Sequence, residues 1–189
     1  MLVFESSDER LIDKALGGDK KAWLALLTRY EKSIYNYALR MTSDPDDAKD
    51  LLQEIFISVY NSLSNYQGKG SFKGWLFRIA HFRCMDFYRR KQPNVSLDYA
   101  PESNVLETDE DAYIHSPEVD AQLSQRQLQI HALMKTLPFN QREIIELKFF
   151  GQFTFEDIAN QLGISVNTVK SRLYSATIKL KALVEAEHV

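Results

Sequence analysis

The sequence predicts an all-α protein of two small helical domains joined by an acidic linker. Apolar residues recur at helical spacing along most of the chain, and no strand-like alternation of any length interrupts them. Residues 92–120 carry eight Asp and Glu residues and no Lys or Arg. A helix-Gly-helix pattern occupies residues 154–173. The first observation predicts the fold class, and the other two predict the division into domains.

Length and charge limit the possible functions. A chain of 189 residues can bury one good core or two small ones. Subtracting the eight negative charges of residues 92–120 from the net charge of −3 leaves +5, so the predicted domains are mildly basic and suited to nucleic acid. The single cysteine, Cys84, excludes an internal disulfide and is typical of a reducing compartment. With no signal-peptide pattern and no long apolar run, we expect a soluble, cytoplasmic protein without membrane insertion.

The first two helices are predicted from caps and apolar stripes. Ser6 with Glu9 predicts the start of a short helix that Gly17 ends. A second helix begins near Asp19, and its apolar residues from Trp23 to Met41 follow one another at helical steps. This stripe predicts a core.

The third helix has the clearest start and two contrasting faces. Asp44-Pro45 supplies a cap followed by proline at the first helical position. An apolar stripe of Ala48, Leu51, Leu52, Ile55, Phe56, Val59, Tyr60 and Leu63 predicts core contacts. The opposite face is acidic and polar but also holds an apolar residue, Ile57. Such a face is either simply solvated or a docking site for a basic partner, and the residues alone favour neither.

The fourth helix, capped by Ser71, interleaves aromatic and cationic residues on one side. These are Phe77, Arg78, His81, Tyr88 and Arg89, with Met85 on the same side, Phe82 nearby and Arg90-Lys91 following. Single-stranded nucleic acid binds such a surface because bases stack on aromatic rings and phosphates attract cations. The alternative is that aromatics complete a core shared with the second helix, which is the favoured interpretation for Phe77 or Phe82 taken singly.

The acidic, proline-containing segment from 92 to about 117 predicts a flexible linker between domains that need not touch. Helices are expected at about 118–136 and 141–149. Thr154 with Asp157 then predicts a helix start, and Gly163 predicts its end. Ser165 is a suitable cap for the last helix.

The last helix has an apolar stripe that includes Val169, Leu173 and Ala176. Its other face is polar and cationic, with Asn167, Lys170, Ser171 and Tyr174, and with Arg172 on the flank. A helix-turn-helix presents such a face to the major groove of DNA. An ordinary helical hairpin with a solvated face is the alternative.

Nothing in the sequence favours an enzyme, a metal or a cofactor. His81 and Cys84 lie three residues apart on a helix, but a zinc site needs about four ligands. No catalytic Ser-His-Asp order and no glycine-rich phosphate loop is present in the sequence. We expect a binding protein with no small-molecule substrate.

Five motifs in order resemble a bacterial RNA polymerase sigma factor of the sigma-70 family, in the extracytoplasmic-function group. They are DAKDLLQEIF (47–56), SFKGWLFRIA (71–80), DFYRRK (86–91), LPFNQREIIELKFF (137–150) and TFEDIANQLGISVNTVKSRL (154–173). The resemblance implies a region 2-like helical bundle in 1–91, an acidic linker in 92–117 and a region 4-like helix-turn-helix in 118–189.

The resemblance also implies partners and site residues. Core RNA polymerase would be bound through its β′ clamp and β flap, and an anti-sigma factor, in some relatives membrane-bound, would hold the protein inactive. The implied polymerase-binding residues are Asp47, Asp50, Gln53, Glu54 and Ile57. The implied residues for the melted −10 strand are Tyr66, Lys69, Ser71, Phe72, Trp75, Phe77, Arg78, His81, Phe82, Arg89 and Arg90. Those for the −35 duplex are Asn167, Thr168, Lys170, Ser171, Arg172 and Tyr174.

Two positions depart from the family pattern. His81-Phe82 stands where relatives commonly have Arg-Asn, which puts the −10 base preference in doubt. Residues 174–177 lack the two arginines that relatives commonly have there, so we expect fewer phosphate contacts at the −35 element. A stand-alone helix-turn-helix regulator that binds duplex operator DNA is the alternative function.

Overall fold

The computed structural model describes residues 7–91, 130 and 132–186, and within these ranges the regular structure is entirely helical. The predicted all-α class is therefore confirmed for the described residues. The linker and most of the helix expected at 118–136 lie outside them. The helices are α1 (Asp8–Leu16), α2 (Lys20–Thr42), α3 (Pro45–Ser62), α4 (Phe72–Lys91), α5 (Phe139–Ile145), α6 (Phe155–Leu162) and α7 (Val166–Ala186).

Short-range side-chain contacts start and stop these helices as the sequence predicts. Asp44 accepts hydrogen bonds from the backbone N–H groups of Asp46 and Asp47 at the start of α3, both at 2.9 Å. Thr154 and Asp157 form a reciprocal capping box at α6, and Gly163 ends that helix in the left-handed region with φ of 67°. For α1 the cap is Ser7, whose Oγ accepts from the backbone of Arg10. The prediction of Ser6 as the cap falls outside the described residues.

The first domain, α1 to α4, is built around the stripes of α2 and α3. Ile34, Tyr37, Leu51 and Ile55 are fully buried there. Tyr60 was expected in this core, and that prediction was wrong because its side chain is 65% exposed. Its ring instead packs edge-on against Trp23, with 5.2 Å between the ring centroids.

In the second domain, α5 is followed directly by a π-helical turn, Glu146–Phe150, which precedes α6. Gly151 follows, and its N–H donates to the Glu146 carbonyl at 2.8 Å. A Cβ at Gly151 would lie 2.7 Å from both the Leu147 carbonyl oxygen and the Phe153 ring. Only glycine lets the chain turn this tightly, and the turn places Phe153 against the first domain.

The two domains share one apolar core, although the sequence predicts a linker that does not require them to touch. The Phe77 ring of α4 lies between Tyr37 of α2, at 5.6 Å, and Phe153 of the second domain, at 5.3 Å. Tyr88 and Phe139 make a second ring contact across the same boundary at 4.9 Å. Helical periodicity identified these positions as apolar but cannot identify which distant residue covers them.

Candidate nucleic-acid interface

The polar face of α7 is open to solvent. Ser165 caps the helix by accepting from the backbone N–H of Thr168 at 3.0 Å, and the two hydroxyls lie 2.8 Å apart. Val169, fully buried, anchors the helix on α6. The predicted DNA-reading residues Asn167, Lys170, Ser171 and Tyr174 are exposed, and Thr168 and Arg172 are partly exposed. All six are therefore at the surface, as contact with a major groove requires.

The loop before α4 is held by an aromatic cluster. Tyr66 lies 5.6 Å from Phe72 and 5.3 Å from Trp75, measured between ring centroids. Its hydroxyl donates to the Gly70 carbonyl at 3.0 Å, which closes the loop. Lys69 and Ser71 stay exposed, Tyr66 and Trp75 are half-buried, and Phe72 is buried under them. The cluster gives residues 66–71 a defined shape, with a cation and two ring edges at the surface.

The aromatic and cationic side of α4 is only partly exposed. Phe82 is 49% exposed, with the Arg78 guanidinium 5.9 Å from the centre of its ring. Arg89 and Arg90 are exposed near the end of the helix. Phe77 and His81, in contrast, are buried. The sequence placed both on an accessible face, but the second domain covers that face in this structure, and Phe77 is the core residue that the alternative interpretation favoured.

His81 is held by a buried carboxylate from the second domain. Its Nδ1 lies 2.6 Å from Oε1 of Glu143, and the Tyr37 hydroxyl donates to the same oxygen at 2.8 Å. Glu143 is 2% exposed. Burial, followed by the charge of Glu143, raises the pKa of Tyr37 well above its ordinary value. The phenol therefore stays protonated and remains a donor to Glu143.

A second buried carboxylate, Glu146, faces Arg40 of α2. Nη2 of Arg40 donates to one carboxylate oxygen at 2.6 Å, and Nε donates to the other. Burial raises the pKa of Glu146, while the hydrogen bonds and charge of Arg40 oppose that shift. The same guanidinium lies 4.0 Å from the centre of the Phe150 ring. Arg40 is thus fixed against the second domain on two sides.

Sequence reasoning did not single out Glu143 and Glu146. Their segment was predicted only as a helix at about 141–149. A usable signal was present, because Phe139, Glu143, Glu146 and Phe150 recur at steps of four, three and four and so share one helical face. Two carboxylates flanked by phenylalanines on one helical face indicate that both carboxylates are buried and that each is hydrogen-bonded by another part of the chain.

The acidic face of α3 is largely open to solvent. Asp50 and Gln53 are exposed, and Ile57 is 60% exposed among them. Basic residues at the end of α4 reach this face: Arg90 donates to both oxygens of Glu54 at 2.8 and 2.9 Å, and Lys91 pairs with Asp47. These pairs are solvent-exposed, so they are weak and easily exchanged for other partners.

Across residues 7–91 and the described part of 130–186, no three metal-ligating side chains gather into a group. Nor is any helix in those ranges both long enough and apolar enough to span a bilayer. Cys84 is buried, and burial raises the pKa of its thiol well above the ordinary value.

Comparisons with known proteins agree with this organisation. The family model described as Sigma-70 region 2 matches residues 26–93, and the one described as Sigma-70, region 4 matches residues 127–180. The RNA polymerase sigma-H factor of Pseudomonas aeruginosa is 30% identical over 178 residues, which cover 93% of this chain and 92% of that protein. The ECF RNA polymerase sigma-E factor of Haemophilus influenzae is 28% identical over 181 residues, covering 90% and 91%.

Solved structures of similar shape support the fold. CnrH, in complex with the cytosolic domain of CnrY, has a TM-score of 0.67 and 23% identity, covering 96% of this chain and 99% of that one. The sigma factor RpoE of Bartonella quintana, in complex with the anti-sigma factor NepR, has a TM-score of 0.66 and 22% identity, covering 84% and 94%. The chain therefore belongs to the sigma-70 family of RNA polymerase sigma factors, in its extracytoplasmic-function group, whose members are transcription initiation factors and not enzymes.

Proposed function

We propose that the protein binds core RNA polymerase and directs promoter-specific initiation by reading the −35 duplex with α7 and holding the melted −10 strand with residues 66–71 and α4. One observation carries this proposal. The same chain holds an exposed recognition helix, α7, and a loop and helix rich in aromatic and cationic residues, 66–71 and α4. A duplex-binding regulator has no use for the second surface, because bases within a duplex cannot stack on protein rings.

The acidic face of α3 is the proposed contact with the β′ clamp. Asp50, Gln53 and Glu54 supply polar and negative groups for a basic partner, and Ile57 supplies an apolar anchor beside them. Protein–protein contacts usually combine apolar and polar groups in this way. Arg90 and Lys91 would release Glu54 and Asp47 on binding at little cost, because both ion pairs are exposed. The second domain is proposed to contact the β flap.

An anti-sigma factor is the proposed regulatory partner. Support comes from the RpoE structure, which contains the anti-sigma factor NepR, and from the CnrH structure, which contains the cytosolic domain of CnrY. We place the protein in the bacterial cytoplasm, held at the membrane whenever its anti-sigma factor is membrane-bound.

Transcription in vitro tests the proposal directly. A pool of genomic fragments is transcribed by purified core polymerase with and without the protein, and 5′ ends are mapped. Discrete start sites that depend on the protein would support the sigma role and reveal both promoter elements. Binding to duplex DNA without polymerase, combined with no new transcripts, would favour the stand-alone regulator instead.

A further inference from the structure

Two lysines from different elements of the second domain meet at one aromatic ring. Phe155 is the first residue of α6, and its half-buried side chain packs against the core. The Nζ of Lys148, in the π-helical turn, lies 4.5 Å from the centre of that ring. The Nζ of Lys170, on α7, lies 5.6 Å from the same centre. We call these three residues the lysine–phenylalanine cluster.

The cluster is small enough for both lysines to meet one stretch of DNA backbone. The sum of the two distances, about 10 Å, is the greatest possible separation of the two ammonium nitrogens. On each strand of B-DNA, phosphates recur about every 3.4 Å along the helix axis. Lys170 is exposed on the open face of α7, so the cluster lies at the edge of the surface proposed to read the −35 duplex.

The ring holds these cations without neutralising them. A carboxylate would cancel the charge of a lysine and compete with phosphate for its N–H donors, whereas an aromatic face attracts an ammonium group and carries no net charge. Among the described residues, no carboxylate lies within ion-pair distance of Lys148 or Lys170. Lys181, further along α7, shows the contrast, since its Nζ lies 3.7 Å from Oε1 of Glu185.

Holding a lysine in place before DNA arrives favours binding. A free lysine side chain loses rotamer entropy when it is fixed on a phosphate, and that loss opposes binding. Contact with the Phe155 ring limits the rotamers of both lysines in the free protein, so less entropy remains to be lost. Lys148 donates to the Phe153 carbonyl at 3.1 Å, which leaves its other N–H donors for phosphate oxygens.

We propose that Phe155 is a positioning residue for DNA binding, which holds Lys148 and Lys170 together so that both contact phosphates beside the −35 element. Lys148 thereby becomes an additional DNA contact, outside the set of α7 residues named above. The pair offsets part of the loss expected from the missing arginines in residues 174–177. This inference rests on the proposed function for the identity of the duplex, whereas the contacts within the cluster do not depend on that function.

Nuclear magnetic resonance tests the cluster in the free protein. Lysines of the full chain are reductively methylated with carbon-13, which keeps their charge, and are assigned from Lys→Arg variants. Because groups above an aromatic ring are shifted upfield, the signals of Lys148 and Lys170 should move downfield in Phe155→Leu and return in Phe155→Tyr. Lys181 is the matched control, and its signal should stay in place. Unmoved signals for both cluster lysines in Phe155→Leu would overturn the proposal.

A double-mutant cycle tests the link to DNA. Affinity for one duplex fragment, selected from the genomic pool by binding, is measured with and without core polymerase for Phe155→Leu, Lys148→Ala/Lys170→Ala and the triple variant. An exposed cation–π contact corresponds to about two- to fivefold in an equilibrium constant, so Phe155→Leu should weaken binding about fivefold when both lysines are present. Without them the same substitution should cost less than about twofold, because the ring acts through the lysines. Equal effects in the two backgrounds would show that Phe155 acts only through the fold, and the proposal would then be wrong.

The salt dependence of binding counts the phosphate contacts. Lys148→Ala should reduce by about 0.9 the slope of log binding constant against log salt concentration, whereas Lys181→Ala should change it by less than about 0.3. A wild-type slope for Lys148→Ala would refute its phosphate contact. Coupling seen only without polymerase would leave the cluster standing and remove the sigma role. Protein-dependent transcripts without coupling in either cycle would leave the sigma role standing and remove the cluster.

Discussion

Substituting Glu54 by lysine tests the acidic face of α3 with little disturbance of the fold. The Glu54 side chain is 37% exposed and its partner Arg90 is 59% exposed. An exposed ion pair contributes about 0.2–1 kcal/mol, and a new like-charge pair near 4 Å in water costs about 1 kcal/mol more. The expected loss of about 2 kcal/mol or less is small against a typical domain stability of about 5–15 kcal/mol.

Polymerase binding should respond much more strongly than stability. Removing one member of a charge pair in an interface typically costs about 2–5 kcal/mol, so Glu54→Lys should weaken binding to core polymerase about 30-fold or more. The assay is a titration of fluorescently labelled protein with purified core polymerase, followed by anisotropy. Urea unfolding, monitored by circular dichroism, checks stability on the same preparations.

The matched control is Asp13→Lys, which makes the same charge change at an exposed position of α1. We expect its affinity to stay within threefold of wild type. A folded Glu54→Lys variant with wild-type affinity would refute the assignment of α3 as the docking face. Equal weakening by both variants would show that net charge, and not this face, governs binding.

Three further predictions concern stability and DNA binding. Burial raises the pKa of Tyr88 to about 12. The neutral phenol therefore stabilises the folded state fully at pH values well below 10, and this stabilisation is lost as the pH rises towards 12. About 1.3 kcal/mol of the loss falls between pH 9 and 11. Tyr88→Phe should remove that share of the alkaline loss in urea titrations, and parallel pH profiles would contradict this. Gly163→Ala should lower the free energy of unfolding by about 1–2 kcal/mol, and Gly163→Asn should lower it by less, as measured by urea unfolding. The reason is the backbone, because φ at this position is 67° and no atom lies where a Cβ would be placed. Equal losses in the two variants would argue against a backbone cause. Lys170→Ala should reduce by about 0.9 the slope of log binding constant against log salt concentration, without changing which promoter sequences are preferred. Ser171 variants should instead change the preferred sequence. If every α7 variant kept the wild-type sequence preference, the assignment of this face of α7 to base recognition would be refuted.

Much of the fold could be predicted because helix boundaries depend on neighbours within a few residues. The Asp44 cap, the box of Thr154 with Asp157 and the left-handed Gly163 each involve groups at most four positions apart. The open face of α7 was predictable for the same reason, since its polar residues share one side of a helix. Tyr60 shows the limit of this reasoning: its position on the stripe is correct, but its contact with Trp23 leaves the side chain 65% exposed.

The face of α4 shows what periodicity cannot decide. Its alternation of aromatic and basic residues is visible in the sequence, but exposure depends on whether another domain covers it. The covering residues, Glu143 and Phe153, are 62 and 76 positions away from His81 and Phe77. Contacts at that separation leave no local pattern in a single chain.

The sequence by itself determined the helices, their caps, the helix-turn-helix and the acidic face of α3, because each follows from interactions within a few turns of one helix. Only the tertiary structure decided that the domains close over α4, that Glu143 and Glu146 are buried between them, and that His81 is bound within the chain. The reason is energetic: a buried carboxylate is tolerated only where its partners are brought to it, and here those partners come from the other domain.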